Sequence, residues 1–206
     1  YYRPLRAAQQ YPDADTSDLG YWGRPVDLGW TGTQSVTYSK PVRDAAGNVV
    51  GVLGVEVRLD RIASFFPYLD LNEGGNGSYL LAVTGEDGGF ARDGGVSPAT
   101  GQPRTYEVLT ATGASQSLYV EDGSFESSLD EKGRMTVEPS EAASSAARAA
   151  ASAAEIKLYD STSPFASEHW ALVGLEREDD LFSAAHLLSE NLMKVFAASI
   201  VVGIVV

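Results

Sequence analysis

Residues 33–59 read TQSVTYSKPV, RDAAG and NVVGVLGVEVRL in turn, and this stretch decides the fold of the first part of the chain. Two runs rich in Val, Thr and Tyr are typical of strands. Asp44 and Gly47 lie between them and supply the residue types that tight turns require. The pattern therefore predicts an antiparallel hairpin.

The residues after the hairpin predict a change of structure and then a second β-rich region. Residues 60–71 (DRIASFFPYLDL) carry apolar residues at helical spacing around Pro67, so we expect a short helix or two turns. The Gly-rich NEGGNG that follows breaks structure, and it places a module boundary near residue 74. Strands are predicted beyond it, in SYLLAVTGEDG (78–88) and HWALVGLERE (169–178). The predicted fold class is α+β, with two small modules in series.

An alanine-rich stretch interrupts this second region. Residues 140–154 read SEAASSAARAAASAA, and alanine has the highest intrinsic helix propensity. Pro139 precedes Ser140, which could cap a helix. We expect a solvent-facing helix or a mobile insert.

The C-terminal residues predict a helix that enters a membrane. An acidic pair precedes apolar residues at helical spacing, which indicates a helix that begins near Asp179. Every residue of 195–206 is apolar or small, although a bilayer-spanning helix needs about 20 such residues. We interpret the run as the start of a transmembrane helix. The alternative is a buried C-terminal helix or strand.

The chain also begins without Met or a signal peptide, so we expect it to be an excerpt of a longer protein.

Composition excludes several functions. The chain of 206 residues has a formal charge of −13 and no cluster of basic residues, so nucleic acid is not an expected partner. It has no cysteine and two histidines, so it has few of the residues that thiol nucleophiles, catalytic triads and zinc sites need. The acidic DADTSD run (13–18) lacks the glycine and distal glutamate of a calcium loop. We expect no enzyme activity, no cofactor and no metal.

Residues 21–62 resemble the double Cache (dCache) sensor family. The family pattern is a Trp followed by a Pro, a Thr-x-x-x-Pro-Val strand, a Gly turn, and a Gly-Val-x-Gly-Val-acidic strand. The matching residues are Trp22, Pro25, Thr37, Pro41, Val42, Gly47, Gly51, Val52, Gly54, Val55 and Glu56. Their order and spacing match throughout this stretch.

The resemblance implies the extracytoplasmic sensor of a receptor in the bacterial cell membrane. Two PAS-like modules with antiparallel sheets flanked by helices are expected at 1–73 (membrane-distal) and 74–178 (membrane-proximal). A juxtamembrane helix and the start of a membrane span would follow at 179–206. Such receptors are usually dimers, so a homodimer is expected. The cytoplasmic output would be a histidine kinase, a chemoreceptor module or a diguanylate cyclase.

The resemblance also points to a small-molecule site in the first module. The branch of the family that binds amino acids has a Trp-Tyr pair at the positions where this chain has Tyr1 and Tyr2. Val26 stands where the family has a Tyr, and Glu56 replaces an Asp. Glu56 could still hold a cation or an amine, because a carboxylate in an apolar strand must be paired or solvated. The alternative is that Glu56 points outward.

Aromatic residues near the hairpin complete the predicted site. Trp22 and Tyr38 suit a largely apolar pocket, with Arg24 as the nearest cationic anchor. Core packing for Trp22 and a surface position for Arg24 are the alternatives, and Tyr21 and Trp30 are weaker candidates. The predicted ligand is an amine, an amino acid or another metabolite. The predicted ligand-binding residues are Tyr2, Trp22, Arg24, Tyr38 and Glu56.

Two rival functions remain open at this stage. One is an adhesion or protein-binding ectodomain that has no small-molecule pocket. The other is a secreted hydrolase, but the sequence has no Gly-x-Ser-x-Gly motif, and both histidines, His169 and His186, lie late in the chain.

Overall fold

The first part of the chain folds into a four-stranded antiparallel sheet with a helix at each end of its sequence. A computed structural model describes residues 2–27, 33–71, 76–84, 104–183 and 189. The elements of this part are α1 (Tyr2–Gln10), β1 (Tyr21–Trp22), β2 (Val26–Asp27), β3 (Gln34–Arg43), β4 (Val49–Arg58) and α2 (Leu59–Ala63). A single 3-10 turn, Tyr68–Asp70, follows. We call β1–β4 the hairpin sheet.

The predicted hairpin is confirmed as the β3–β4 pair. The two strands pair antiparallel from Ser35 opposite Arg58 to Arg43 opposite Val49, and β1 and β2 pair with the other edge of β3. The Asp44 carboxylate accepts the backbone N–H groups of Ala46 and Asn48 across the turn. Gly47 adopts a φ of 85°, a conformation that glycine reaches without a steric penalty. Local turn chemistry therefore sets the register.

The second part of the chain forms a closed six-stranded antiparallel barrel. Each strand pairs with the next along the sequence, and the last strand pairs with the first. The elements are β5 (Ser78–Thr84), β6 (Arg104–Thr112), α3 (Gln116–Tyr119), β7 (Ser124–Leu129), β8 (Met135–Val137), β9 (Ala149–Ile156) and β10 (Trp170–Arg177). The strands predicted at 78–88 and 169–178 are confirmed over Ser78–Thr84 and Trp170–Arg177, and residues 85–88 lie outside the described part of the chain.

Alternate side chains of the barrel strands form its core. Tyr106 and Phe125 stack with ring centroids 4.9 Å apart and an angle of 4° between their planes. Val137 and Val173 are fully buried in the same cluster. Burial of each such aliphatic side chain stabilises the fold by about 1.5–3 kcal/mol.

The prediction of a helix at residues 140–154 is wrong. Only Glu141–Ala143 makes a single 3-10 turn, and Ala149–Ile156 is strand β9. Helix propensities differ by less than about 1 kcal/mol per residue, so tertiary context overrides them. Here β9 pairs with β8 on one side and with β10 on the other, and Ala149 is fully buried in the barrel. Strand pairing on both sides outweighs the local preference.

The hairpin sheet and the barrel share one buried cluster. Val36 and Leu59 come from the first part of the chain, and they pack with Leu81, Leu109 and Trp170 of the barrel. The predicted boundary near residue 74 lies outside the described residues, and the division into two modules stays a prediction. The shared cluster means that β3 and the barrel wall pack directly against each other.

Helical backbone follows β10 at residues 178–183, where the sequence predicts a helix that begins near Asp179. The predicted start of a membrane span, residues 195–206, lies outside the described residues. Within the part of the chain that the structure describes, no helix has the length and apolar character needed to cross a bilayer.

Candidate functional site

Trp22 and Tyr38 meet on one face of the hairpin sheet. They are direct partners in the β1–β3 register, and their ring centroids lie 5.1 Å apart. Both are half-buried. The Tyr38 hydroxyl lies against the backbone of Gly20, where an added Cβ would come within 2.1 Å of it. Glycine at position 20 is therefore needed for the tyrosine to lie over the indole.

Trp170 extends this pair into the barrel. Its ring centroid lies 5.8 Å from that of Trp22, at an interplanar angle of 57°. Tilted aromatic pairs at this spacing add to the energy of area burial. Trp170 is 6% exposed and is the first residue of β10. The sequence predicted only that Trp170 belongs to a strand. Its contact with Trp22 could not be predicted, because the two residues are far apart along the chain.

Arg24 lies between β1 and β2 and reaches the barrel. Its guanidinium forms an ion pair with Glu107 of β6 at 3.1 Å. The two side chains are 40% and 57% exposed, so water screens the pair and its contribution to stability is small. Arg24 thus connects the hairpin sheet to the barrel at the surface, which agrees with the alternative of a surface position.

Glu56 and Tyr2 lie apart from the aromatic pair. Glu56 is opposite Thr37, whereas Tyr38 is opposite Val55, so Glu56 points to the other face of the sheet. Its side chain is exposed, and Tyr2 on α1 is 80% exposed. The structure brings together Trp22 and Tyr38 among the five predicted residues, and their role in binding a ligand stays a prediction. The weaker candidate Trp30 lies outside the described residues.

A second aromatic group lies on the other side of β1, and the sequence analysis named only its first member, Tyr21. Tyr21 packs on Phe165 with centroids 4.9 Å apart, and Phe165 packs on Tyr159 at 5.9 Å. The Tyr159 hydroxyl accepts the backbone N–H of Trp22 at 2.9 Å. Burial raises the pKa of Tyr159 far above its ordinary value, so the hydroxyl stays protonated. This contact holds the open edge of β1.

Arg3 attaches α1 to the same group. Its guanidinium lies 4.9 Å from the centroid of the Tyr21 ring and forms an ion pair with Glu168. Burial raises the pKa of Tyr21 as well, with the Glu168 carboxylate as a second cause. The segment from Tyr159 to Glu168 therefore joins the helix, the sheet and the start of β10.

An apolar strip is exposed on the Tyr38 face of the hairpin sheet. Val55 is opposite Tyr38 and Leu53 is opposite Lys40, so these side chains share that face with Val42. Their exposed fractions are 55%, 64% and 40% respectively. Contiguous exposed apolar side chains indicate a contact surface. We call Val42, Leu53 and Val55 the apolar strip.

Cavities open among the described residues, and the five predicted residues line none of the three described next. One is a cleft of about 410 Å³ between β7 and the residues after β8, with Glu121, Asp122, Glu126 and Glu138 in its wall. A second, of about 220 Å³, lies at one end of the barrel. A third, open groove of about 440 Å³ lies between α2 and β6.

Acidic side chains do not form a metal site within the described part of the chain, where no suitable group of ligands occurs. In the DADTSD run, Asp15 instead accepts the backbone N–H and the hydroxyl of Ser17. His169 Nδ1 lies 2.8 Å from a carboxylate oxygen of Glu155, as a local pair beside Trp170.

Comparison with known proteins finds a similarity among solved structures. No family model matches the chain, and no curated protein matches it. Among solved structures, the chain is similar to the periplasmic sensory domain of the Campylobacter jejuni chemoreceptor Tlp1, with 16% identity and a TM-score of 0.44. The alignment covers 86% of this chain and 56% of that chain, so the present chain spans little more than half of its length.

Proposed function

We propose that this chain is the extracytoplasmic, ligand-sensing region of a bacterial transmembrane receptor. The dCache-like pattern of residues 21–62 supports the proposal. So does the β3–β4 hairpin, in which the pattern's Gly turn and paired strands take their expected places. The sensor region itself is non-catalytic, and it acts as a homodimer that passes ligand occupancy to a cytoplasmic output domain.

The observation that carries the proposal is the row of contacting aromatic rings of Tyr38, Trp22 and Trp170. It begins on the hairpin sheet, where a ligand would contact Tyr38 and Trp22, and it ends on β10. Strand β10 leads directly into the helical residues 178–183. Packed aromatic rings transmit displacement because a close-packed interior does not deform continuously. Ligand occupancy would therefore shift the helix through the Trp170 ring.

The chemistry around these aromatic rings favours a small metabolite with an apolar part. Half-buried rings supply apolar contact, and the guanidinium of Arg24 is the nearest predicted anchor for a carboxylate. Glu56 is on the opposite face of the sheet, so an amine that contacts Glu56 would bind on that face and not beside Trp22 and Tyr38. The proposed ligand class is an amine, an amino acid or another small metabolite.

Thermal unfolding of the full chain against a panel of amines, amino acids, carboxylates and sugars tests this function. A ligand that binds only the folded state at about 100 times its Kd stabilises it by about 2.7 kcal/mol, which is visible as a rise in Tm. We expect Tyr38→Leu to abolish the rise and Tyr11→Leu, an exposed tyrosine on the loop after α1, to preserve it. A panel in which no compound raises Tm contradicts the proposal.

The alternative function is a protein-binding ectodomain that has no small-molecule pocket. The apolar strip supports it, because three large apolar side chains are exposed side by side on one face. Leu53→Glu distinguishes the two functions. Under the sensor proposal this change leaves ligand stabilisation intact, whereas under the alternative it abolishes partner binding and no ligand raises Tm.

A further inference from the structure

One end of the barrel holds a cavity that the proposed function does not use. Its volume is about 220 Å³. Strand β9 leaves this room, because Ala151 and Ala153 are two of the residues that pack against the barrel core, and alanine fills little volume. The residues that line the cavity include Arg104, Tyr106, Ser127, Met135, Ala151 and Ala153.

The hydroxyl of Tyr106 is the feature that indicates a ligand. Tyr106 forms part of the cavity wall and is 0% exposed. Among the described residues its hydroxyl has no hydrogen-bond partner. Buried polar groups in folded proteins are nearly always paired, and an unpaired one calls for a specific explanation. A bound molecule with an acceptor oxygen would supply the missing partner.

The charge of the cavity wall favours an anion. Arg104 lines the cavity, and the planar, positively charged guanidinium of an arginine matches the geometry of a carboxylate. No Asp or Glu is among the described residues that line it. The cleft beside β7 is the opposite case, because carboxylates such as Glu121 and Glu138 line it and would repel an anion.

We propose that this end of the barrel binds a small carboxylate. Ligand cavities for larger molecules start at about 300 Å³, so the volume suits a chain of about two to four carbons. The carboxylate oxygens would accept from the Tyr106 hydroxyl and face Arg104, while the alkyl part lies against Met135 and Ala151. This site is independent of the Trp22–Tyr38 pair, and it goes beyond the proposed function.

Calorimetry and thermal unfolding of the full chain test the site with acetate, propionate, butyrate and lactate. Acetamide and propionamide are the neutral controls, because they keep the shape of the ligand and lose its charge. We expect at least one carboxylate to bind and raise Tm where its amide does not. Equal effects of acid and amide, or no binding at about 10 mM, overturn the proposal.

Four variants locate the binding. Ala151→Leu fills the cavity and is expected to abolish carboxylate binding, whereas Ala154→Leu, at an exposed position of the same strand, preserves it. Tyr106→Phe is expected to raise the Tm of the empty protein, because it removes an unpaired buried hydroxyl, and to weaken binding about tenfold. Binding that survives Ala151→Leu and is lost in Tyr38→Leu belongs to the hairpin sheet and overturns the barrel site.

Discussion

The indole rings of Trp22 and Trp170 lie with centroids 5.8 Å apart, although one belongs to the hairpin sheet and the other to the barrel. Trp22 is on a two-residue strand whose outer N–H is held by the Tyr159 hydroxyl. Trp170 starts the strand that leads to the C-terminal helical residues. The contact therefore connects the two β structures at the start of β10.

Removal of either indole should destabilise the whole chain. Trp170 is 6% exposed, and Trp170→Ala is expected to lower the free energy of unfolding by about 3–5 kcal/mol. Trp22→Ala is expected to cost less, because that ring is half-buried. Urea unfolding of both variants and of the double variant measures a coupling of about 0.5–1.5 kcal/mol. Leu53→Ala, at an exposed site, is the control and should stay within about 0.5 kcal/mol. Strictly additive losses would show that the ring contact carries no energy.

Arg43 should hold α1 on the hairpin sheet. Its guanidinium donates to the carbonyl oxygens of Ala8, Tyr11 and Pro12, at and just beyond the end of the helix, where a positive charge is favourable. Arg43→Met is expected to lower the free energy of unfolding by about 1–3 kcal/mol and to speed amide exchange in α1. Arg58→Met removes an arginine that pairs at the surface with Asp60 and should change stability little. Unchanged exchange in α1 would contradict this role.

The turn between β7 and β8 should require glycine. Gly133 has a φ of 74°, and an alanine there is expected to cost about 1–2 kcal/mol because its Cβ meets the following carbonyl. Gly51→Ala is the matched control, since a Cβ at that position meets no atom within 4 Å. Chemical denaturation of both variants makes the comparison. Equal stability of the two would mean that the turn relaxes without strain.

The same turn should make the barrel sensitive to acid. The backbone N–H of Arg134 is the main cause that lowers the pKa of the Asp130 carboxyl, and the Arg134 guanidinium adds to it. A lowered folded pKa means that the ionised form stabilises the turn above the unfolded value, near 3.9. This stability is lost as the pH falls through the lower folded pKa. Amide exchange of the β7–β8 hairpin between about pH 5 and 2 should show the loss.

Asp130→Asn supplies the control for the acid effect. Its side chain does not ionise, so the acid dependence of the hairpin should become weaker. Glu131→Gln removes a neighbouring exposed charge and should leave the dependence in place. An unchanged profile in Asp130→Asn would assign the acid sensitivity to other carboxyl groups.

Local patterns predicted the elements that depend on neighbouring residues. The hairpin of residues 33–59 was predictable because Asp44 and Gly47 close the turn with bonds inside five residues. Trp22 and Tyr38 lie side by side because the short β1 pairs with the same hairpin, and their role in ligand binding stays a prediction. The face of the sheet on which Glu56 lies was harder to predict. It depends on the strand register, and a shift of the register by one residue moves every side chain of the strand to the other face.

The sequence by itself determined an α+β chain with an antiparallel hairpin, a turn closed by aspartate and glycine, and strands at each end of a second β region. Only the tertiary structure decided that the alanine-rich stretch is strand β9, that the six later strands close into a barrel, and that Trp170 meets Trp22. The physical reason is the separation along the sequence between the residues that interact. Turn and hairpin energies come from residues close in the sequence, whereas strand closure and aromatic packing come from partners that the chain brings together only when it folds.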